Sequence, residues 1–114
     1  MTMSERVYKA IKTLMENQGN EIIKVDEENQ IIYSLDDDNL VFTKYQWEEG
    51  NMPDPEWNRR DFEKIAMEFI ASEEGREYVN KSIRPDVVGC AIMGTDRAFV
   101  RQIHNYDFFY GKES

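Results

Sequence analysis

Asn39-Leu40-Val41-Phe42-Thr43-Lys44-Tyr45-Gln46 reads as a strand. Its residues are mostly apolar, β-branched or aromatic, and neither Gly nor Pro interrupts them. The turn-forming run Asp36-Asp37-Asp38-Asn39 precedes it. Working back from it, Gln30–Leu35 and Glu21–Val25 are two further strand candidates, separated by the turn-forming Asp26-Glu27-Glu28-Asn29. Three strands joined by short turns make an antiparallel meander, and Leu40–Gln46 is its last member. Whatever follows must therefore cross back over the sheet or leave it.

Before the meander, Val7, Ile11, Leu14 and Met15 recur at helical spacing. The pattern predicts a first helix beginning near Ser4 as N-cap and stopping at Gly19. After the meander, Trp47–Trp57 carries Gly50, Pro53 and Pro55 and reads as a loop. Phe62, Ile65, Ala66, Phe69 and Ile70 then give the apolar face of a second helix, announced by Asn58 to Asp61 and reaching Ser72. An extension of that helix past Gly75 through Tyr78 and Val79 stays open. Pro85 opens a strand to Met93, and Gly94-Thr95-Asp96 turns it into a hairpin with Arg97–His104. The order is α-β-β-β-α-β-β. An α/β fold follows, with a mixed sheet of about five strands flanked by two main helices, because the second helix can return the chain parallel to the third strand.

The 114 residues suffice for a single domain, 1–114, with residues 109–114 expected as a loose tail. Hydrophobic residues at 40% and charged residues at 32% are the balance of an ordinary folded protein rather than a disordered one. A formal charge of −9, from 23 acids against 14 Lys plus Arg, repels phosphate backbones and disfavours non-specific nucleic-acid binding. No run approaches the ~20 apolar residues of a membrane span, and Met1–Arg6 lacks the apolar core of a leader, so a cytoplasmic protein without membrane partners is expected. The single cysteine, Cys90, lies in the apolar run Val87–Ile92 and reads as a buried small hydrophobe.

Three stretches share more than periodicity with a known family. These are Leu14-Met15-Glu16-Asn17-Gln18-Gly19-Asn20-Glu21-Ile22-Ile23, Asp38-Asn39-Leu40-Val41-Phe42 and Arg84-Pro85-Asp86-Val87-Val88, the last leading into the hairpin that ends near Asn105–Phe108. In their order and spacing the chain resembles the YraN family of small bacterial proteins, which have a restriction-endonuclease-like core and are regarded as nucleases. The resemblance spans about Val7 to Phe108. It implies that fold, and a site where carboxylates hold Mg²⁺ to polarise phosphate and activate water. Carried over in register, the family's Asp falls on Ile31, its Glu on Lys44, its Lys on Gln46 and its helical Glu on Tyr8. None is a metal ligand of the kind needed. The resemblance thus implies a degenerate nuclease with no catalytic residues and no metal or cofactor, acting as a binding or regulatory module rather than an enzyme. Lys44 is expected to occupy the metal's place, held by Glu5 or Glu48.

Two other functions compete with this. One is an active Mg²⁺-dependent nuclease with relocated acids, drawn from Glu5, Asp36 and Glu48 or Glu49. The other is an acidic mimic of nucleic acid. The remaining candidates concern partners, either a protein or a nucleic acid, with a dimer also open. Trp47 and Trp57 bracket the acidic Glu48-Glu49, Asp54 and Glu56, and such aromatic residues anchor interfaces. Arg97 and Arg101 share a strand face and could meet phosphates. His104, the only histidine, reads as a hydrogen-bonding residue without a catalytic relation to another group.

Overall fold

Short local devices set the ends of each element. Thr2 caps the first helix: its Oγ1 accepts from the Glu5 N–H at 3.2 Å, and its own N–H donates to Glu5 Oε1 at 2.9 Å, a reciprocal box. The expected cap, Ser4, lies inside the first turn instead, because the box needs its acid three residues on and Glu5 stands in that relation to Thr2. Gly19, at φ +86°, ends the helix as expected. At the β-turns, Gln30 and Asp37 adopt positive φ, and Asp26 accepts hydrogen bonds from the Asn29 N–H and Nδ2.

The computed structural model describes residues 2–95 and 97–106. Its elements are α1 (Met3–Asn17), β1 (Glu21–Asp26), β2 (Ile31–Asp36), β3 (Asn39–Glu49), α2 (Arg59–Ala71), a 3-10 turn (Arg76–Tyr78), β4 (Ser82–Met93) and β5 (Arg97–Ile103). The sheet order is β1-β2-β3-β4-β5, with β3 and β4 parallel and every other pair antiparallel. This is the α/β architecture and element order expected, with α2 as part of the crossover. The expected tail at 109–114 lies outside the described residues. None of the helices described is long and apolar enough to cross a membrane.

Among the boundaries that differ from the sequence reading, three have a clear local cause. β3 runs on through Trp47–Glu49, because these residues find partners in Cys90, Ala91 and Ile92 of β4. The loop shrinks accordingly. α2 stops at Ala71, where Ser72 turns extended, donates from its Oγ to the Phe69 carbonyl and accepts from the Gly75 N–H. β4 begins before Pro85. The Pro85 carbonyl accepts from Tyr106 N on the β5 side, so its nitrogen faces that side too, and the bonding to β3 loses no donor.

A helix lies on each face of the sheet. α1 buries Val7, Ile11 and Met15 with Ile32, Tyr45, Val88, Cys90 and Ile92. On the opposite face, α2 buries Phe62, Ala66 and Phe69 with Ile31, Tyr33, Leu40 and Phe42. Each of those phenylalanines contributes about 2–3 kcal/mol by leaving water, and they meet Phe42 edge to face. The apolar faces of the sequence also put Leu14, Ile22, Val41, Ile65 and Phe99 in the expected core; Val41 is buried, whereas Leu14, Ile22 and Ile65 are only half-buried and Phe99 is 52% exposed. Phe99 belongs to an outer strand whose face α2 does not reach. Cys90 is buried as expected, and burial raises its thiol pKa.

Candidate functional site

The β2–β3 register pairs Ile31 directly with Lys44. Both side chains reach one cavity of about 310 Å³ between the sheet and α2, with Asn29, Trp57, Asp61 and Glu68 also on its walls. Antiparallel pairing and side-chain alternation together bring them there. Gln46 follows two residues on along the same face, but it is exposed and outside the cavity. Tyr8 does not join them. α1 packs on the other face of the sheet, where Tyr8 borders a hollow with Gln30, Tyr45 and Trp47. The four positions carried over from the family are thus divided between two faces.

Lys44 is held differently from expectation. Its Nζ sits 5.5 Å from the centroid of the Trp57 ring, a cation–π arrangement, and it makes no ion pair among the described residues. Glu5 is engaged in the α1 cap, and Glu48 is exposed on β3. The ring beneath Lys44 also corrects the reading of Trp57 as an interface anchor. Trp57 is 2% exposed, packs edge to face on Phe62, and donates from Nε1 to the Asp86 carbonyl at 2.8 Å. Pro53 and Pro55 are buried with it, so the second half of the loop is laid down on the sheet. Trp47 is half-buried against the α1 core.

The relocated acids do not gather. Asp36 lies at the β2–β3 turn, and Glu48 and Glu49 lie at the far end of β3, roughly 30 Å along the strand at ordinary rise. Among the described residues no three His, Cys, Asp or Glu side chains converge as a group suited to hold a metal.

Sequence reasoning missed a second constellation, centred on Asp86. This residue is 1% exposed on β4, immediately before the apolar run Val87–Ile92. Its carboxylate accepts from Arg84 Nε and Nη2 at 3.0 and 3.1 Å, from the Asn105 N–H at 2.8 Å, and from His104 Nδ1 at 2.9 Å. An ionised carboxylate can only accept, so Nδ1 carries the proton in that bond. Arg84 Nη1 reaches on to Asp36 at 2.9 Å. Burial works against the Arg84 charge, yet its bonds to Asp86 and Asp36 prevail and raise its pKa. The network ties the end of β5 and the β2–β3 turn to β4. Arg84 and Asp86 were legible as an i, i+2 pair on one strand face, and a lone acid at the head of an apolar run must find partners. His104, 18 residues on, was not. On β3, Thr43 Oγ1 is buried with no hydrogen-bond partner among the described residues.

Arg97 and Arg101 do share a face of β5, opposite Met93 and Gly89. Arg101 is paired with Asp54 of the loop at 2.7 Å, an exposed bridge of small energetic weight. Exposed Phe99 and Ile103 alternate with them. Comparison with protein-family models, with curated proteins and with solved structures finds no match for this chain.

Proposed function

We propose that the protein is a non-catalytic binding or regulatory module built on a nuclease-like scaffold, acting in the cytoplasm on a protein partner. The observation that carries this reading is the Ile31–Lys44 pair. Both residues stand in one cavity at positions where the resemblance to the YraN family asks for metal-binding carboxylates, and the ammonium rests on Trp57. A cation and a branched alkyl group cannot supply the oxygen ligands that a hard divalent ion needs. The outer strand offers an alternative to catalysis, since Phe99 and Ile103 expose apolar surface of the kind used at interfaces.

Calorimetric titration with Mg²⁺ and Mn²⁺, paired with cleavage assays on DNA and RNA, tests the reading. No metal-dependent cleavage is expected, and tight metal binding with cleavage overturns it. The triple variant Ile31→Asp, Lys44→Glu, Gln46→Lys probes descent as well as chemistry. It should gain measurable Mn²⁺ affinity, and failure of a folded variant to do so removes the inherited-site argument.

A further inference from the structure

β5 is the last strand of the sheet, and no strand pairs with its outer side among the described residues. Such an edge presents N–H and C=O groups at ladder spacing. Beside it runs a groove of about 460 Å³ between α1 and β5, lined by Arg6, Lys9 and Thr13 on one side and Arg97, Ala98 and Val100 on the other. No carboxylate lines it among the described residues. In a chain of formal charge −9 this is a local reversal of sign. Arg6 is fixed in place, its guanidinium donating to the Gly94 and Arg97 carbonyls at 3.4 Å each. Lys9 is exposed and makes no ion pair among the described residues. On the opposite face of β5, Phe99 and Ile103 are 52% and 41% exposed and alternate with Arg97 and with Arg101, the latter paired with Asp54.

We propose that β5 takes up an extended acidic peptide as a sixth strand, its carboxylates turned toward Arg6 and Lys9 and its intervening apolar side chains lying against Phe99 and Ile103. The period of two in any added strand sends alternate side chains to these two faces, one beside Arg6 and Lys9 and the other where Phe99 and Ile103 stand between Arg97 and Arg101. A second copy fits less well, because pairing β5 with itself brings two basic grooves side by side. A nucleic acid fits less well too: the remaining charge of the chain repels a long polyanion, and Phe99 and Ile103 complement aliphatic side chains. The proposal rests on the reading that the chain binds rather than cleaves.

A fluorescein-labelled peptide of alternating Glu and Val serves as the probe, with Lys-Val and Gln-Val peptides and single-stranded oligothymidylate as comparators. The Glu-Val peptide should bind saturably, weaken roughly tenfold between about 50 and 500 mM salt, and slow amide exchange along β5. Lys9→Glu, a surface change, should weaken it at least about fivefold, while Arg76→Glu on the 3-10 turn leaves it unchanged. Any of four results overturns the proposal: no saturable binding, equal binding of the Lys-Val peptide, Lys9-dependent binding of oligothymidylate instead, or a β5-mediated dimer that excludes the peptide. Metal-dependent cleavage, by contrast, removes the non-catalytic reading whatever the peptide does, so the two failures are told apart.

Discussion

Replacing Asp86 by Ala should cost far more than an average substitution. The carboxylate is 1% exposed and accepts four hydrogen bonds, two from Arg84 and one each from His104 and the Asn105 backbone. Truncation leaves the half-buried Arg84 guanidinium with Asp36 alone, and removes the side-chain bonds that hold His104 and Asn105, just past β5, to β4. Removing one partner of a buried ion pair costs about 3–5 kcal/mol. The lower end applies here, about 3 kcal/mol, because Arg84 keeps a second carboxylate and the His104 side chain is 49% exposed. For a domain of this length that is a fall in Tm of about 12 °C. Urea unfolding followed by tryptophan fluorescence suits the site, since the Trp57 indole donates to the Asp86 carbonyl. Asp86→Asn should cost nearly as much, because its amide turns a donor toward Arg84 and His104. His104→Ala should cost only about 1 kcal/mol. A loss below about 1 kcal/mol for Asp86→Ala, or an Arg84–Asp86 double-mutant cycle without coupling, would refute the reasoning.

Three further outcomes are expected. A Cβ at Gly89 would stand 2.5 Å from the Pro53 carbonyl oxygen, a backbone atom of the loop laid over β4, so Gly89→Ala should cost about 2 kcal/mol; an unchanged melting temperature contradicts the close approach. The Asn29 side chain holds the Asp26 carboxyl below its ordinary range. The folded state therefore binds that proton more weakly than the unfolded chain does, and the resulting stability is present above the unfolded pKa and disappears as pH falls through the folded one. Asn29→Ala should flatten the acid limb of a stability–pH profile below about pH 4, and an unaltered limb argues against the bond. Burial pushes the Cys90 thiol up, so iodoacetamide should label the native protein at the rate of unfolding, and rapid labelling without unfolding contradicts its place in the core.

The elements that sequence alone located are those whose signal is local. Helical spacing from Val7 to Met15 and from Phe62 to Ile70 marked both helices, and the acidic turns at Asp26–Asn29 and Asp36–Asn39 divided the meander. The pairing of Ile31 with Lys44 was legible as well, because a short turn fixes antiparallel register. What stayed hidden depends on distant partners. Phe99 has the alternation of a core residue, but only the sheet order shows that no helix covers its face. Trp57 sits in a stretch with loop composition, yet its indole finds the Asp86 carbonyl 29 residues away. Tyr8 matched by counting from Gly19, and counting along a helix does not say which side of the sheet the helix will cover. Asp86 lies on β4 and His104 just past the end of β5, and each alone reads as an unremarkable polar residue.

The way the two helices cover the sheet gives the chain a peculiar interdependence. Cut in the loop after Glu49, it falls into two contiguous fragments, one holding α1 with the three-stranded meander and the other holding α2 with the β4–β5 hairpin. Among the described residues the only strand pairing that joins them is the parallel one between β3 and β4. Yet α2 covers strands of the first fragment almost exclusively, and α1 lies against Val88, Cys90 and Ile92 of the second as well as Ile32 and Tyr45 of its own. Each fragment thus carries the cover for its neighbour's strands. Neither can dry its own sheet in isolation, and closing the long connection between β3 and β4 becomes the step at which both cores form together. Assembly is an exchange between the two fragments, completed only when both are present.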